Sequence, residues 1–363
     1  MAKIRRVTVR TAAPQALERV NVATSAFLGP RVEALERELE RSLANQHPVF
    51  DSFYDLMRYH VGTGGVSGGK RFRPLLCLLL YEGLTGDYRP ALPLAAAIEL
   101  MHSFTLVHDD IEDGDPLRRS RPAVWTLCGV PQGINVGDAL HSLSHDALRK
   151  LQPALHSPRV RLRISQLLTR IAVRIAEGQY LDLAGTTRAH PTLRAYRFMA
   201  ARKTGALIEA SSTLAAALAD TSGRVTFAAA RFGAELGIAF QAFDDWKGMW
   251  GDAAETGKAG RADLVQRKIT LPIVFALAAE TREAQELRTL WAGDGALSPP
   301  DVDRVRELVE RCGAERRLWT YAQERLARAR SELGTLGLDP RVASGIDNFL
   351  ADFKPRPGAW PGA

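Results

Sequence analysis

The sequence predicts an all-α protein, a large single-domain helical bundle around a central cavity. Apolar residues recur at spacings of three and four along most of the chain, which is the period of a helix with one buried face. Ala and Leu are abundant, and long β-branched alternations are absent. Gly and Pro gather between the periodic stretches, as in "TGGVSGGKRFRP" and "ALSPPD". With 363 residues, 46% of them hydrophobic, the chain can bury a large core.

Taken in order, residues 1–30 carry little core pattern and are expected to be a flexible N-terminal segment. They are basic but hold no apolar h-region, so a signal peptide is not expected. "RVEALERELERSLANQ" then puts Val32, Leu35, Leu39 and Leu43 on one helical stripe. "RVRLRISQLLTRIAVRIAEGQYLDL" repeats the pattern from Val160 to Leu183, with arginines on the opposite face. "FAAARFGAELGIAF" is an apolar helical stretch, and "VRELVERCGAERRLWTYAQERLARARSEL" is amphipathic again. About a dozen helices are expected in one domain over 31–353. The tail 354–363, "KPRPGAWPGA", is too rich in Pro and Gly for a helix and is expected to be flexible.

Net charge is +7 and the pI is about 9.5, which suits anionic ligands as well as nucleic acid. No nucleic-acid signature and no aromatic-basic interleaving accompany it. Cys77, Cys128 and Cys312 are far apart and odd in number, which predicts buried, reduced thiols and a cytoplasmic protein. No apolar run is expected to reach the ~18 residues of a membrane span.

The chemistry concentrates in "LVHDDIEDGDPLRRSRP". Asp109, Asp110, Glu112, Asp113 and Asp115 precede Arg118 and Arg119. On a helix, positions i and i+4 lie about 40° apart and i+1 about 100° from i, so Asp109, Asp110 and Asp113 project from one side. Three such carboxylates repel unless a hard cation sits among them. Mg²⁺ suits the site, because it takes few carboxylates and completes its shell with waters and phosphate oxygens. The alternative is a solvated face paired internally with the arginines. A second tandem pair, Asp244 and Asp245 in "FQAFDDWKGMWGD", ends an apolar helix, where carboxylates need partners. Two such pairs suggest helices facing each other across a metal-filled cavity.

Cations are available to meet an anion. "GGKRFRP" supplies Lys70, Arg71 and Arg73, "RKTG" adds Lys203 and Thr204, and "LVQRKITLP" adds Lys268. His102 lies two helical turns before Asp109 on nearly the same face. The neighbours Leu100, Phe104, Leu106, Phe240 and Phe243 are apolar. The ligand these residues describe is a diphosphate with a hydrocarbon body.

With these motifs in place, the chain resembles the trans-isoprenyl diphosphate synthases of the polyprenyl synthetase family, over about residues 35–350. "GGKRFRP", "ELMHSFTLVHDDIEDGDPLRR", "EGQYLDL", "RKTG", "FQAFDDWKGMWGD" and "KITLP" match the family's blocks in order. The resemblance implies the isoprenoid synthase fold, a homodimer, and condensation of isopentenyl diphosphate with an allylic diphosphate. It implies that Lys70, Arg73, His102 and Arg119 bind isopentenyl diphosphate. It implies that Asp109, Asp113 and Asp244 ligate Mg²⁺, three ions per active site, with Asp110 and Asp245 as further metal-site residues. Arg118, Lys203 and Lys268 would contact the allylic diphosphate, Thr204 and Gln241 would flank the developing cation, and Gln179 and Asp182 would support the metal network.

Two departures stand out. Where the family's second motif usually ends in Asp, this chain has Gly248, and Asp252 lies eight residues beyond Asp244, about 12 Å along a straight helix. "GKAGRADL" also carries Arg261 where Gly is usual. Weaker metal binding or altered turnover is the expectation. Phe104, about 7.5 Å down the helix from Asp109, and the small Thr105 resemble the pattern of geranylgeranyl (C20) synthases, with farnesyl diphosphate as the alternative product. Rival readings are a class I terpene cyclase, which would lack the "GGKRFRP" block, and a non-catalytic subunit of the same fold. Two decoys are an HD phosphohydrolase, whose dispersed histidines are not evident, and a zinc site at Asp138, His141 and His145, which has no clear further ligand.

Overall fold

The amphipathic stripes fold as helices. In a computed structural model that describes residues 22–45, 47–63, 69–185, 191–251, 262–293 and 295–351, sixteen α-helices and one short hairpin account for nearly all regular structure among the described residues. Residues 1–21 of the expected flexible segment 1–30 fall outside the described residues, as do the tail 354–363 and positions Asp252 and Arg261, whereas residues from Val22 on open a helix with Leu28 1% exposed, which corrects the expectation for that part. The chain groups into two units, residues 1–169, 210–230 and 333–354 in the first, and 170–209, 231–332 and 355–363 in the second.

In the first unit, α1 (Val22–Ser42) buries the predicted stripe: Val32, Leu35, Leu39 and the following Leu43 are at most 3% exposed. α2 is Asp51–Val61 and α3 is Phe72–Thr85. At the centre lies α4 (Leu92–Glu112), whose residues Leu94 to Met101 are buried without a break. It packs against α1, α2 and α3. A window of this helix, within Arg89–Glu112, has a mean hydropathy of 1.4, apolar enough for a membrane span by length and composition. That corrects the expectation that no run reaches such a length. Its burial inside the fold accounts for the composition, since a helix that is apolar all round belongs to a core or a bilayer.

After α4 the chain makes the hairpin β1 (Leu117–Arg118) and β2 (Arg121–Pro122), with Arg118 opposite Arg121. Its two turn residues, Arg119 (φ 54°) and Ser120 (φ 58°), are both left-handed. This is the turn that usually selects Asn-Gly, so a non-glycine pair here is strained. Tyr59 of α2 holds the strained turn in place: its hydroxyl donates to Pro122 O at 2.9 Å, and its carbonyl accepts from Arg121 Nη2 at 2.9 Å. Trp125 Nε1 ties the neighbouring strand down by donating to Asp115 O at 2.8 Å. α5 (Val124–Cys128) and α6 (Val130–Ala147) follow, and both pack on α4.

α7 (Pro158–Gly185) carries the predicted stripe, with Val160, Ile164, Leu168, Ile171 and Ile175 all buried. Then come α8 (Leu193–Lys203), α9 (Gly205–Leu218) and α10 (Gly223–Trp250). The remaining helices are α11 (Ala262–Val265), α12 (Leu271–Leu277), α13 (Arg282–Trp291), α14 (Pro299–Arg311), α15 (Ala314–Leu333) and α16 (Pro340–Ala351). In the second unit α12 is buried along its whole length and packs on α8, α13 and α14. Thr192, Thr281 and Ser298 cap their helices by accepting backbone N–H groups. The three cysteines are free, but only Cys77 is buried; Cys128 and Cys312 are half-buried, which corrects the expectation for those two.

Candidate functional site

In the first unit the acidic cluster falls at the C-terminal end of α4. Asp109 and Asp110 occupy its last turn and Asp113 is its C-cap. The carbonyl end of a helix carries partial negative charge, so carboxylates there are disfavoured unless cations compensate. Arg118 is one such cation. The hairpin turns it back, and its Nε donates to Asp110 Oδ1 at 2.8 Å, with Nη2 on the same oxygen and 3.6 Å from Asp109 Oδ2. The acids and arginines of this stretch therefore partner each other in part, through Arg118. Asp110 is 1% exposed; burial raises its carboxyl above the usual range, while Arg118 opposes that. Asp109 and Asp113 remain half-buried at the helix end.

The neighbouring cations separate into two kinds. Arg71 (φ 50°) is fully buried and binds Glu36, Glu99 and the carbonyls of Val61 and Gly62, with distances from 2.6 to 3.1 Å. It is a structural hub rather than a ligand-facing arginine, which corrects its place in the predicted cationic group. Arg73, two residues on, instead donates from Nη1 to His102 Nε2 at 3.2 Å, so the imidazole carries its proton on Nδ1. Burial, then Arg73, Arg119 and Arg118, hold His102 well below the usual histidine range. His60, buried nearby, is lowered to about 3 by burial, then by Arg119 and Arg118. Arg119 lies against Gly69, where a Cβ would stand 2.5 Å from Nη2. Desolvation, set against Glu99 and joined by the like charges of Arg71, Arg118 and Arg121, lowers Arg119 to about 10. Lys70 is exposed beside this group. Burial is the largest cause of all three shifts, and the neighbouring positive charges that add to it describe a field that favours an anion.

The second unit contains the other aspartate pair, in the last two turns of α10. Asp244 is exposed and Asp245 is buried. Three neutral donors meet Asp245: Tyr196 Oη at 2.6 Å, the Leu271 N–H at 2.6 Å and Gln241 Nε2 at 2.7 Å. Leu271 begins α12, so "KITLP" places a helix N-terminus on this carboxylate. Burial nevertheless raises Asp245 to about 7. The predicted metal residue Asp245 is thus turned into the helix packing, and Gln241, predicted to flank a cation, holds it there.

"RKTG" forms the junction between α8 and α9. Lys203 Nζ pairs with Asp182 Oδ2 at 2.6 Å, Thr204 is the C-cap of α8, and Gln179 is half-buried one turn before Asp182. A Cβ on Gly178 would lie 2.2 Å from Lys203 N, so "EGQYLDL" needs its glycine for this approach. Lys268 follows α11 with its N–H on Asp263 O at 2.8 Å. Sequence reasoning missed Asp263. A Cβ on Gly248 would stand 3.4 Å from Asp263 Oδ2, so Asp263 puts a carboxylate where the second motif lacks one. The signal was the Asp of "GRADL", separated from Gly248 by a stretch too irregular to place from periodicity.

The donor set fits a divalent magnesium ion. It is all oxygen, and Asp110 Oδ2 is buried without a hydrogen-bond partner. Among the described residues no group of three His, Cys, Asp or Glu could hold an ion by itself. Mg²⁺ binds through one or two carboxylates and substrate phosphates. Asp138, His141 and His145 likewise form no metal group among the described residues.

The polyprenyl synthetase profile matches residues 52–310. A geranylgeranyl diphosphate synthase of Mycobacterium tuberculosis is 38% identical over 84% of this chain and 91% of its own length. A (2E,6E)-farnesyl diphosphate synthase of Mycobacterium bovis is 34% identical over 81% of this chain and 83% of its own. The crystal structure of a geranylgeranyl pyrophosphate synthase from Corynebacterium glutamicum, complexed with isoprenyl diphosphate and magnesium, superposes with a TM-score of 0.79, 25% identity, and coverage of 89% and 98%. The chain belongs to the polyprenyl synthetase family, enzymes that transfer prenyl groups.

Proposed function

We propose that this chain is a Mg²⁺-dependent synthase that joins isopentenyl diphosphate head-to-tail to an allylic diphosphate, with geranylgeranyl diphosphate as its main product. The observation that carries the reading is the cationic group at Arg73, His102 and Arg119, in which Arg73 donates to His102 at 3.2 Å, and which lies in the same unit as the Asp109 cluster. The name of the Mycobacterium tuberculosis relative favours the C20 product, and that of the Mycobacterium bovis relative keeps farnesyl diphosphate as the second reading.

In this reading Lys70, Arg73, His102 and Arg119 bind the diphosphate of isopentenyl diphosphate. His102 accepts from Arg73 and keeps its Nδ1 proton. Asp109, Asp113 and Asp244 are the carboxylates that would hold Mg²⁺, with Asp110 and Asp245 locked in place behind them. When bound, Mg²⁺ supplies positive charge that favours departure of the allylic diphosphate. Arg118, Lys203 and Lys268 stabilise that leaving group. The allylic C–O bond breaks with its electron pair going to diphosphate, and Thr204 and Gln241 flank the allylic cation. The π pair of isopentenyl diphosphate forms the new C–C bond, and a proton leaves the adjacent carbon for the departed diphosphate, restoring a double bond. Placement and exclusion of water are the protein's main contributions.

Residues 31–353 would form the catalytic domain. Exposed Leu127, Val130 and Ile134 on α5 and α6 support a homodimer, and the three free thiols support a cytoplasmic setting. The test is incubation of the pure protein with labelled isopentenyl diphosphate and an allylic primer, with and without Mg²⁺, followed by mass spectrometry of the products. A C20 ladder that needs Mg²⁺ is expected. No elongation would overturn the synthase reading, and a product ending at C15 would replace its chain length.

A further inference from the structure

Two carboxylates, Glu36 of α1 and Glu99 of α4, converge on the guanidinium of Arg71. Its Nε and Nη2 donate to Glu36 Oε1 and Oε2 at 2.7 and 3.1 Å, and its Nη1 donates to Glu99 Oε1 at 2.6 Å. Nη1 and Nη2 also donate to the carbonyls of Val61 and Gly62, at 2.8 and 3.1 Å. The Arg71 side chain is fully buried and Glu99 is 3% exposed. A guanidinium held through all three nitrogens cannot turn toward a ligand.

The cations assigned to isopentenyl diphosphate stand around this cluster. Glu99 lies about one helical turn before His102, which accepts from Arg73 Nη1 at 3.2 Å. Arg119 rests against Gly69, two residues before Arg71, where a Cβ would stand 2.5 Å from Arg119 Nη2. After burial, which lowers it, the largest influence on Arg119 is the Glu99 carboxylate, which raises it. A buried carboxylate needs a partner. Glu99 has Arg71; without it, the neighbouring fork is Arg119, and an arginine fork fits a carboxylate as well as it fits a phosphate.

We infer that Arg71 is a positioning residue that holds Glu99 away from Arg119, and so keeps the Arg119 guanidinium open to the diphosphate of isopentenyl diphosphate. The inference rests on the synthase reading, in which Arg119 binds that substrate. Arg71 touches no reacting atom. It occupies a carboxylate that would otherwise compete with the substrate's diphosphate from inside the protein. Arg118, assigned to the allylic diphosphate, already donates to Asp110. Loss of Arg71 should therefore fall on one substrate and spare the other.

The test is steady-state kinetics of the full chain with Mg²⁺, varying isopentenyl diphosphate and the allylic primer in turn, with thermal unfolding as the check on folding. Arg71→Met should raise the KM for isopentenyl diphosphate about 10–100-fold, the loss of one charge-assisted hydrogen bond. The KM for the primer should stay near its wild-type value. Adding Glu99→Gln, which removes the competing charge, should restore most of the loss. Arg71→Lys covers the case in which the methionine variant does not fold. A single ammonium lacks the planar fork that spans both carboxylates, so the same KM should rise by less and again recover with Glu99→Gln. Equal rises in both KM values, or a rise that Glu99→Gln leaves in place, would overturn the inference, because a merely structural hub would loosen both substrate sites. If the wild-type protein itself makes no prenyl diphosphate, the synthase reading fails instead.

Discussion

The two tandem aspartates, Asp109–Asp110 and Asp244–Asp245, look alike in the sequence but are held in opposite ways. In both, the second aspartate is buried and the first is more accessible. Asp110 is balanced by a charge, the Arg118 guanidinium delivered by a strained hairpin. Asp245 is balanced by dipoles: a tyrosine hydroxyl, a glutamine amide and the N–H at the start of α12. A charged partner opposes the upward push that burial gives the Asp110 carboxyl, whereas burial among neutral donors raises Asp245 to about 7. Asp110 meets burial with an ion pair, and Asp245 meets it with neutral hydrogen bonds alone.

Removing the partners should separate these two designs most strongly. Arg118→Ala strands a buried carboxylate, which costs about 3–5 kcal/mol when a buried pair is broken. Tyr196→Phe removes one of three neutral donors to a buried acid and should cost about 1–3 kcal/mol. Urea unfolding of both variants checks this. Equal losses would mean that Asp110 does not depend on the guanidinium, and the contrast between the pairs would collapse.

The next effect concerns the carboxylate that the second motif lacks. If Asp263 stands in for a residue at 248, Asp263→Asn should weaken Mg²⁺ activation about 10–100-fold, the usual cost of losing a residue that supports metal ligands. Gly248→Asp should not tighten it, because the new side chain would start 3.4 Å from Asp263 Oδ2 and set two like charges together. Titrating activity against Mg²⁺ reads both. A tighter response in Gly248→Asp would show that position 248 is truly short of a ligand.

Periodicity made the helices legible: the stripe at Val32–Leu43 is buried as spaced, and that from Val160 to Leu183 is buried as far as Ile175, with Leu183 exposed. Motif order led to the residues gathered in each unit. Orientation was not legible. Arg71 and Arg73 are two positions apart in one block, yet a left-handed backbone at Arg71 turns it into the core while Arg73 meets His102. Nothing in residue type distinguishes them, because the difference lies in where the chain enters α3. The same holds for Arg118 and Arg119: adjacent in the turn, one folds back onto Asp110 and the other reaches Gly69. Asp263 was hidden because its partner position is a glycine, which leaves no side-chain pattern to read.

The smallest effect, and the sharpest comparison of the two units, is their pH dependence. His60 near the first pair is held at about 3 against an ordinary 6.5. The unfolded chain takes up that proton first, so the stability His60 contributes is complete above 6.5 and is lost as pH falls toward 3. Asp245 is the reverse, at about 7 against 3.8. Its contribution is greatest below 3.8 and is lost as pH rises toward 7. Between 3.8 and 6.5 the two slopes oppose, each at up to about 1.4 kcal/mol per pH unit. Urea unfolding at several pH values in that window should therefore find His60→Gln losing stability with rising pH relative to wild type. Asp245→Asn should gain it. Parallel curves for all three proteins would show that neither group is displaced from its ordinary titration, and the contrast between the two units would lose its electrostatic basis.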